Sequence, residues 1–240
     1  MALFLIGGGW DTQVVGAHYR TFLAAARGDE PTVACVVVDE GDGEAQVARW
    51  ADALAAAGPC RPVPVLVPLG GSFDVASLDG ADAVLVCGGL TPAYASALAP
   101  AAAAVRAWLA DGDKPYAGFS AGAAVAAGRA VVGGWRSTGV PVCPEDAGED
   151  LDEVTVADGL GLVPFAVDVH CAQWGTLGRL AAAVTATGRP GVALDEGTML
   201  AVTRGLAVVS GSGHAWTVAP TDGGAVIRML AAGASLVVDR

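Results

Sequence analysis

The sequence predicts an α/β fold. We expect a three-layer αβα sandwich around a mostly parallel, doubly wound sheet, with antiparallel β elements in the C-terminal part. Three observations predict it. Hydrophobic residues make up 53% of the 240 residues and charged residues only 16%, which suits strands buried on both faces. Short β-branched runs alternate with helical patterns through the first half, the rhythm of βα units. Glycines fall just after three candidate strands, at Gly7–Gly9, Gly88-Gly89 and Gly118. In such sheets the sites lie at the carboxyl ends of the strands.

The elements follow in order. Ala2–Ile6 is an apolar run that ends in glycines, and Thr12 to Arg27 carries a helical pattern. Thr32–Val38 is a β-branched run, bounded by Pro31 and Asp39. Glu44–Ala57 is helical, with Gly58-Pro59 as its stop. Val63–Val67 and Ala83–Cys87 are strands, Pro100–Ala110 is a helix, Pro115–Gly118 is a strand, and Ser120–Ala127 opens a helix. Beyond Gly128 the pattern changes. Gly133–Cys143 reads as hairpin or loop, and Pro144–Glu153 as a solvated acidic loop. Ala166–Asp168 and Gly191–Leu194 are strands that flank a helix over Thr176–Thr187. From Met199 the chain reads as antiparallel β, with a turn at Gly211–Gly213. No repeat or linker divides it, so one domain over residues 1–240 is expected.

Charge and cysteine usage narrow the function classes. The net charge of −12 repels nucleic acid, and an anionic substrate would need a local cluster of arginines. The five cysteines are odd in number and form no CxxC pair. This argues against a disulfide framework or zinc site and for a reducing, cytoplasmic setting. No cofactor and no metal are expected. The start of the chain reads as a first buried strand rather than a signal peptide. The longest uncharged stretch, Ala83 to Val105, is broken by Gly88-Gly89, Pro92 and Pro100, so no membrane span is expected.

Gly118-Phe119-Ser120-Ala121-Gly122 fits G-x-S-x-G. In this motif a serine sits on a strained strand-to-helix turn and small neighbours let the backbone fold sharply. About one chain in six of this composition would hold the pattern by chance, so context decides. Here a short strand precedes the serine and a helix former follows, which makes Ser120 the nucleophile candidate. Of the three histidines, His18 lies in a helical stretch and His214 follows a glycine turn. His170 ends a strand, at the carboxyl edge of the sheet, and is the candidate base. A carboxylate must accept a hydrogen bond from that base. Glu196, just past the strand Gly191–Leu194, is the first choice, with Asp195 and Glu145 as alternatives. The backbone N–H groups of Ala121 and Gly89 are the oxyanion candidates. Gly7–Gly9 also admits a dinucleotide reading, although G-x-G-x-x-G is not completed, because Thr12 stands at its last position.

These segments together resemble the dipeptidase E and cyanophycinase family of serine peptidases. The likeness rests on Leu5-Ile6-Gly7-Gly8-Gly9, Gly88-Gly89-Leu90-Thr91 and Lys114-Pro115. It continues through Gly118-Phe119-Ser120-Ala121-Gly122-Ala123, Gly159-Leu160-Gly161-Leu162 and Asp168-Val169-His170, and ends with Gly178-Arg179-Leu180 and Asp195-Glu196-Gly197-Thr198. It implies a fold related to class I glutamine amidotransferases, with serine in place of cysteine. It also implies metal-independent hydrolysis of α- or β-linked aspartyl peptides through an acyl-enzyme, often by dimers. Thr91, Asp168 and Arg179 are then the substrate-binding candidates. Asp168 lies two residues before His170, hence on the same strand face, and Arg179 would pair with a substrate carboxylate.

The chain departs from the family at two points. Trp174 and Thr176 stand where cyanophycinases carry arginines, and Gly128–Val140 holds no carboxylate where dipeptidase E has its acid. Two other readings stay open. One is an esterase of the α/β-hydrolase type using Ser120, Asp195 and His214. The other is a non-catalytic binding or regulatory relative.

Overall fold

The computed structural model describes residues 1–238. The first half builds five parallel strands. β1 (Ala2–Ile6) leads through α1 (Thr12–Leu23) to β2 (Thr32–Asp39), and α2 (Gly43–Ala57) leads to β3 (Arg61–Pro68). β4 (Ala83–Val86) is followed by α3 (Thr91–Leu98) and α4 (Ala102–Ala110), and β5 (Tyr116–Phe119) by α5 (Ala121–Ala124). Next come β6 (Arg129–Gly133), the small hairpin β7 (Arg136–Ser137) and β8 (Val140–Pro141), and β9 (Thr155–Asp158). β10 (Ala166–Asp168), α6 (Cys171–Trp174), α7 (Leu177–Thr187) and β11 (Gly191–Leu194) follow. The chain then runs through β12 (Thr198–Thr203), β13 (Leu206–Gly211), β14 (Ala215–Thr221), β15 (Gly224–Leu230) and β16 (Ser235–Val237).

The main sheet has eight strands in the order β16-β13-β12-β1-β5-β4-β2-β3. The five strands from β1 to β3 are parallel, and β12, β13 and β16 extend the sheet antiparallel beyond β1. β2 is buried along nearly its whole length, as a parallel strand covered on both faces must be. Its alternate side chains pack two ways. Val33, Cys35 and Val37 face the cluster that holds Trp50 and Leu54 of α2, and Ala34, Val36 and Val38 face the core that holds Tyr94, Val105 and Leu109. Pro62, Pro64 and Pro68 are tolerated in β3 because it is the edge strand.

Two expectations are corrected. Ala166–Asp168 and Gly191–Leu194 do form strands, but they do not join the main sheet. They pair in parallel inside a second, four-stranded sheet of order β10-β11-β14-β15. One face of this sheet (Val167, Val192, Leu194) enters the main core and the other (Ala166, Ala193) meets Leu180 and Val184 of α7. Residues 120–127 also do not run on as a helix, because α5 has only four residues. The carbonyls of Val125, Ala126 and Ala127 instead accept from Leu160, Leu162 and Gly161, so a tertiary contact overrides alanine's helix propensity. One helix was missed: α3 starts at Thr91-Pro92, with proline in its first turn where its missing N–H costs nothing. None of the helices is long and apolar enough to cross a membrane, among the described residues.

Candidate active site

Ser120 sits between β5 and α5 with φ 51° and ψ −111°. A non-glycine residue rarely takes positive φ, and here it turns the side chain out of the strand ladder. The turn is packed tightly enough to explain both glycines of the motif. A Cβ on Gly118 would overlap the carbonyl of Gly122, and one on Gly122 would overlap the carbonyl of Val86. Tyr116 braces the same turn, its hydroxyl donating to the Gly122 carbonyl at 2.6 Å.

His170 also has positive φ, 53°, in the left-handed region. Its N–H donates to the carbonyl of Gly7 at 3.0 Å, which joins the end of β10 to the end of β1. The second sheet therefore delivers His170 and Glu196 to the carboxyl edge of the first. The early glycines make this possible. Gly8 has φ +104°, and a Cβ there would overlap the imidazole at Cε1. A Cβ on Gly9 would lie 2.9 Å from Cβ of Glu196. Gly7–Gly9 is thus the bed for the histidine and the acid, and the dinucleotide reading is set aside.

The side chains form one line. Ser120 Oγ lies 2.7 Å from His170 Nε2, and His170 Nδ1 lies 2.7 Å from Glu196 Oε1. A carboxylate only accepts, so Nδ1 carries the hydrogen and Nε2 is left to accept from the serine hydroxyl. Ser120 and His170 are buried. Burial lowers the His170 pKa from its ordinary 6.5, while the hydrogen bond and charge of Glu196 oppose that shift. The main-chain N–H of Glu196 donates to Gln173 Oε1 at 2.8 Å, which steadies the acid. The Trp174 ring stacks on the imidazole, with centroids 3.9 Å apart and planes at 9°. In the sequence alone Trp174 stands out only as a residue in the place of a family arginine.

The main-chain N–H groups of Gly89 and Ala121 make no hydrogen bond among the described residues. Gly89 lines the cavity in front of Ser120. Because α5 is a single turn, an oxyanion would be held by local amides, without a helix dipole of useful length.

It shares its fold with solved peptidases. A peptidase from an acI-B1 Actinobacterium superposes with TM-score 0.64 at 15% identity, covering 98% of this chain and 96% of its own. A Listeria monocytogenes EGD-e protein described as a candidate peptidase E superposes with TM-score 0.58 at 17% identity, covering 88% of this chain and 98% of its own. At these identities the likeness is one of fold. No protein-family model and no curated protein matches the sequence.

The other site candidates are not part of this line. Asp168 and Arg179 are both buried and hold each other. Arg179 Nε donates to Asp168 Oδ2 at 2.9 Å and Nη2 to Oδ1 at 2.6 Å, while Nη1 donates to the Ala147 carbonyl. Thr91 is buried and fully engaged, donating from its N–H and hydroxyl to the two carboxylate oxygens of Glu149 at 2.9 and 3.1 Å. These contacts account for all three side chains without a substrate. Their polar groups are already paired inside the protein. Asp195, the alternative acid, is buried and accepts from the N–H of Ala172, the N–H of His214 and the Trp216 indole. Glu145 is exposed on the cavity rim. His214 lies 3.4 Å from Asp195, but the hydrogen bond of Ser120 goes to His170, which removes the geometric basis of the esterase triad.

The cavity has a volume of ≈ 830 Å³, within the usual range for small-ligand sites. Ser120 and His170 open onto it beside Gly88, Gly89 and Trp174. The loop read as solvated, Pro144–Glu153, forms one of its walls through Glu145, Asp146 and Gly148 to Asp152. Sequence reasoning missed this role because the loop carries no motif.

Proposed function

We propose that this protein is a serine peptidase acting on short peptides through an acyl-enzyme. One observation carries the proposal: the unbroken line Ser120–His170–Glu196, with both links at 2.7 Å. Its fold is that of two proteins described as peptidases, which supports a peptide bond as the target.

The chemistry follows from the positions of the groups. His170 Nε2 takes the hydroxyl proton as Ser120 Oγ attacks the carbonyl carbon of the scissile bond. The developing oxyanion is held by the N–H groups of Ala121 and Gly89. Glu196 stabilises the imidazolium and fixes its tautomer. His170 returns the proton to the leaving amine, and water then releases the acyl group by the reverse sequence.

Aspartyl specificity does not carry over into this reading. It was assigned to Arg179, and Arg179 is taken up by Asp168.

A neutral fluorophosphonate tests the proposal. It is expected to label Ser120 stoichiometrically. Labelling is expected to vanish in Ser120→Ala and to slow by about 10⁴-fold in His170→Ala, while His214→Ala labels normally. A correctly folded wild-type protein that stays unlabelled would favour the non-catalytic alternative.

A further inference from the structure

The cavity in front of Ser120 has a pronounced charge. Six carboxylates line it: Glu40, Glu145, Asp146, Glu149, Asp150 and Asp152. Among the described residues, none of the six is in an ion pair. One guanidinium lines the same cavity, that of Arg49, and it lies 3.4 Å from the ring centroid of Trp10.

These carboxylates do not create the site, since the nucleophile and base do that. They set its potential. Two of them are anchored beside the reacting centre. Glu40 accepts from the N–H of Leu90 at 2.8 Å, and Glu149 accepts from Thr91. The same segment begins at Gly88, where a Cβ would lie 3.2 Å from Cβ of Ser120. The other four come from the 145–152 loop. That loop is pinned from behind by Arg179 on the Ala147 carbonyl and by the Trp135 indole on Asp152 at 3.2 Å. Glu149 and Asp150 are held at φ 56° and 59°, a conformation non-glycine residues seldom adopt. Aromatic faces complete the walls: the Trp10 and Trp135 rings already hold Arg49 and Arg136, and Trp174 lies over His170 with 39% of its surface exposed. Like charges collected on low-dielectric walls focus the field and raise the local concentration of the opposite charge. Tryptophan faces also attract cations.

We propose that the cavity selects a peptide carrying an ammonium or guanidinium group, a lysine or arginine side chain next to the scissile bond, and disfavours an anionic one. This rests on the serine-peptidase reading and adds the substrate class to it. The overall charge of −12 acts in the same direction.

Three phosphonate probes of equal length test it, differing only in a terminal guanidinium, a neutral amide or a carboxylate. Their second-order rates of Ser120 labelling are compared at low salt. The guanidinium probe is expected to react at least about tenfold faster than the carboxylate probe, with the amide between, and the spread should narrow at high salt. It should also shrink in Glu145→Gln/Asp146→Asn, which removes two of the charges from the exposed rim. Equal rates, or a faster carboxylate probe, overturn the proposal while leaving Ser120 as nucleophile. A spread that neither salt nor the double substitution reduces also overturns it. If no probe labels Ser120, the serine-peptidase reading itself fails, and this one with it.

Discussion

Ser120 and His170 share an uncommon backbone. Their φ angles are 51° and 53°, and strain of this kind costs about 1–3 kcal/mol per residue. It is offset by packing around each turn and it aims both side chains at one point. The third group, Glu196, then governs the base. Burial holds the His170 pKa below its ordinary value and Glu196 pulls it up. The imidazole must be neutral to take a proton, so labelling of Ser120 should stay level through neutral pH. Its acid limb should fall below pH 6.5. In Glu196→Gln the opposing charge is gone, so the limb should move to still lower pH while the rate drops by about 10²–10⁴-fold. A pH profile of fluorophosphonate labelling checks both. An acid limb that moves upward in this variant would contradict the assigned role.

At the scale of elements, the second sheet must be locked to the rest for His170 to meet Ser120. The Asp168–Arg179 pair does part of this. It ties β10 to α7 and, through the Ala147 carbonyl, to the acidic loop. Removing one member leaves a buried charge without a partner, which costs about 3–5 kcal/mol. Asp168→Ala should therefore lose that much stability in urea unfolding and cleave faster in the 145–152 loop under limited proteolysis. Asp168→Leu/Arg179→Met should recover most of the loss, because no buried charge remains. A single variant as stable as wild type would show that water reaches Arg179 after all.

For the molecule as a whole, acid is expected to be damaging. His18 of α1 is 2% exposed and neither ring nitrogen has a partner among the described residues. Burial pushes its pKa down to about 4. Above pH 6.5 both folded and unfolded chains keep it neutral, so it does not affect the balance. As pH falls from 6.5 towards 4 the unfolded chain gains a proton that the folded chain refuses, and stability drops by up to about 3 kcal/mol. The lowered pKa of His170 acts in the same sense. Denaturant unfolding at pH 7 and pH 4.5 should show the fall, and His18→Leu should flatten it relative to wild type. Equal slopes for the two proteins would remove His18 as the cause.

The sequence by itself determined the α/β class, named Ser120 and His170, and put Glu196 first among three candidate acids; the structure joins these three side chains in one line. Those signals are local. A sharp turn needs G-x-S-x-G within five residues, and a residue just past a strand is placed at that strand's end. Tertiary structure alone decided the rest. It moved residues 166–168 and 191–194 into a second sheet, turned Gly7–Gly9 from a candidate phosphate loop into the bed of an imidazole, and closed Thr91, Asp168 and Arg179 onto internal partners. It also gathered Glu40 and the 145–152 carboxylates around one cavity. The physical reason is the same each time: which partner a polar group finds, and which wall a charge lines, depends on packing between segments far apart in the chain, and no short-range pattern encodes that.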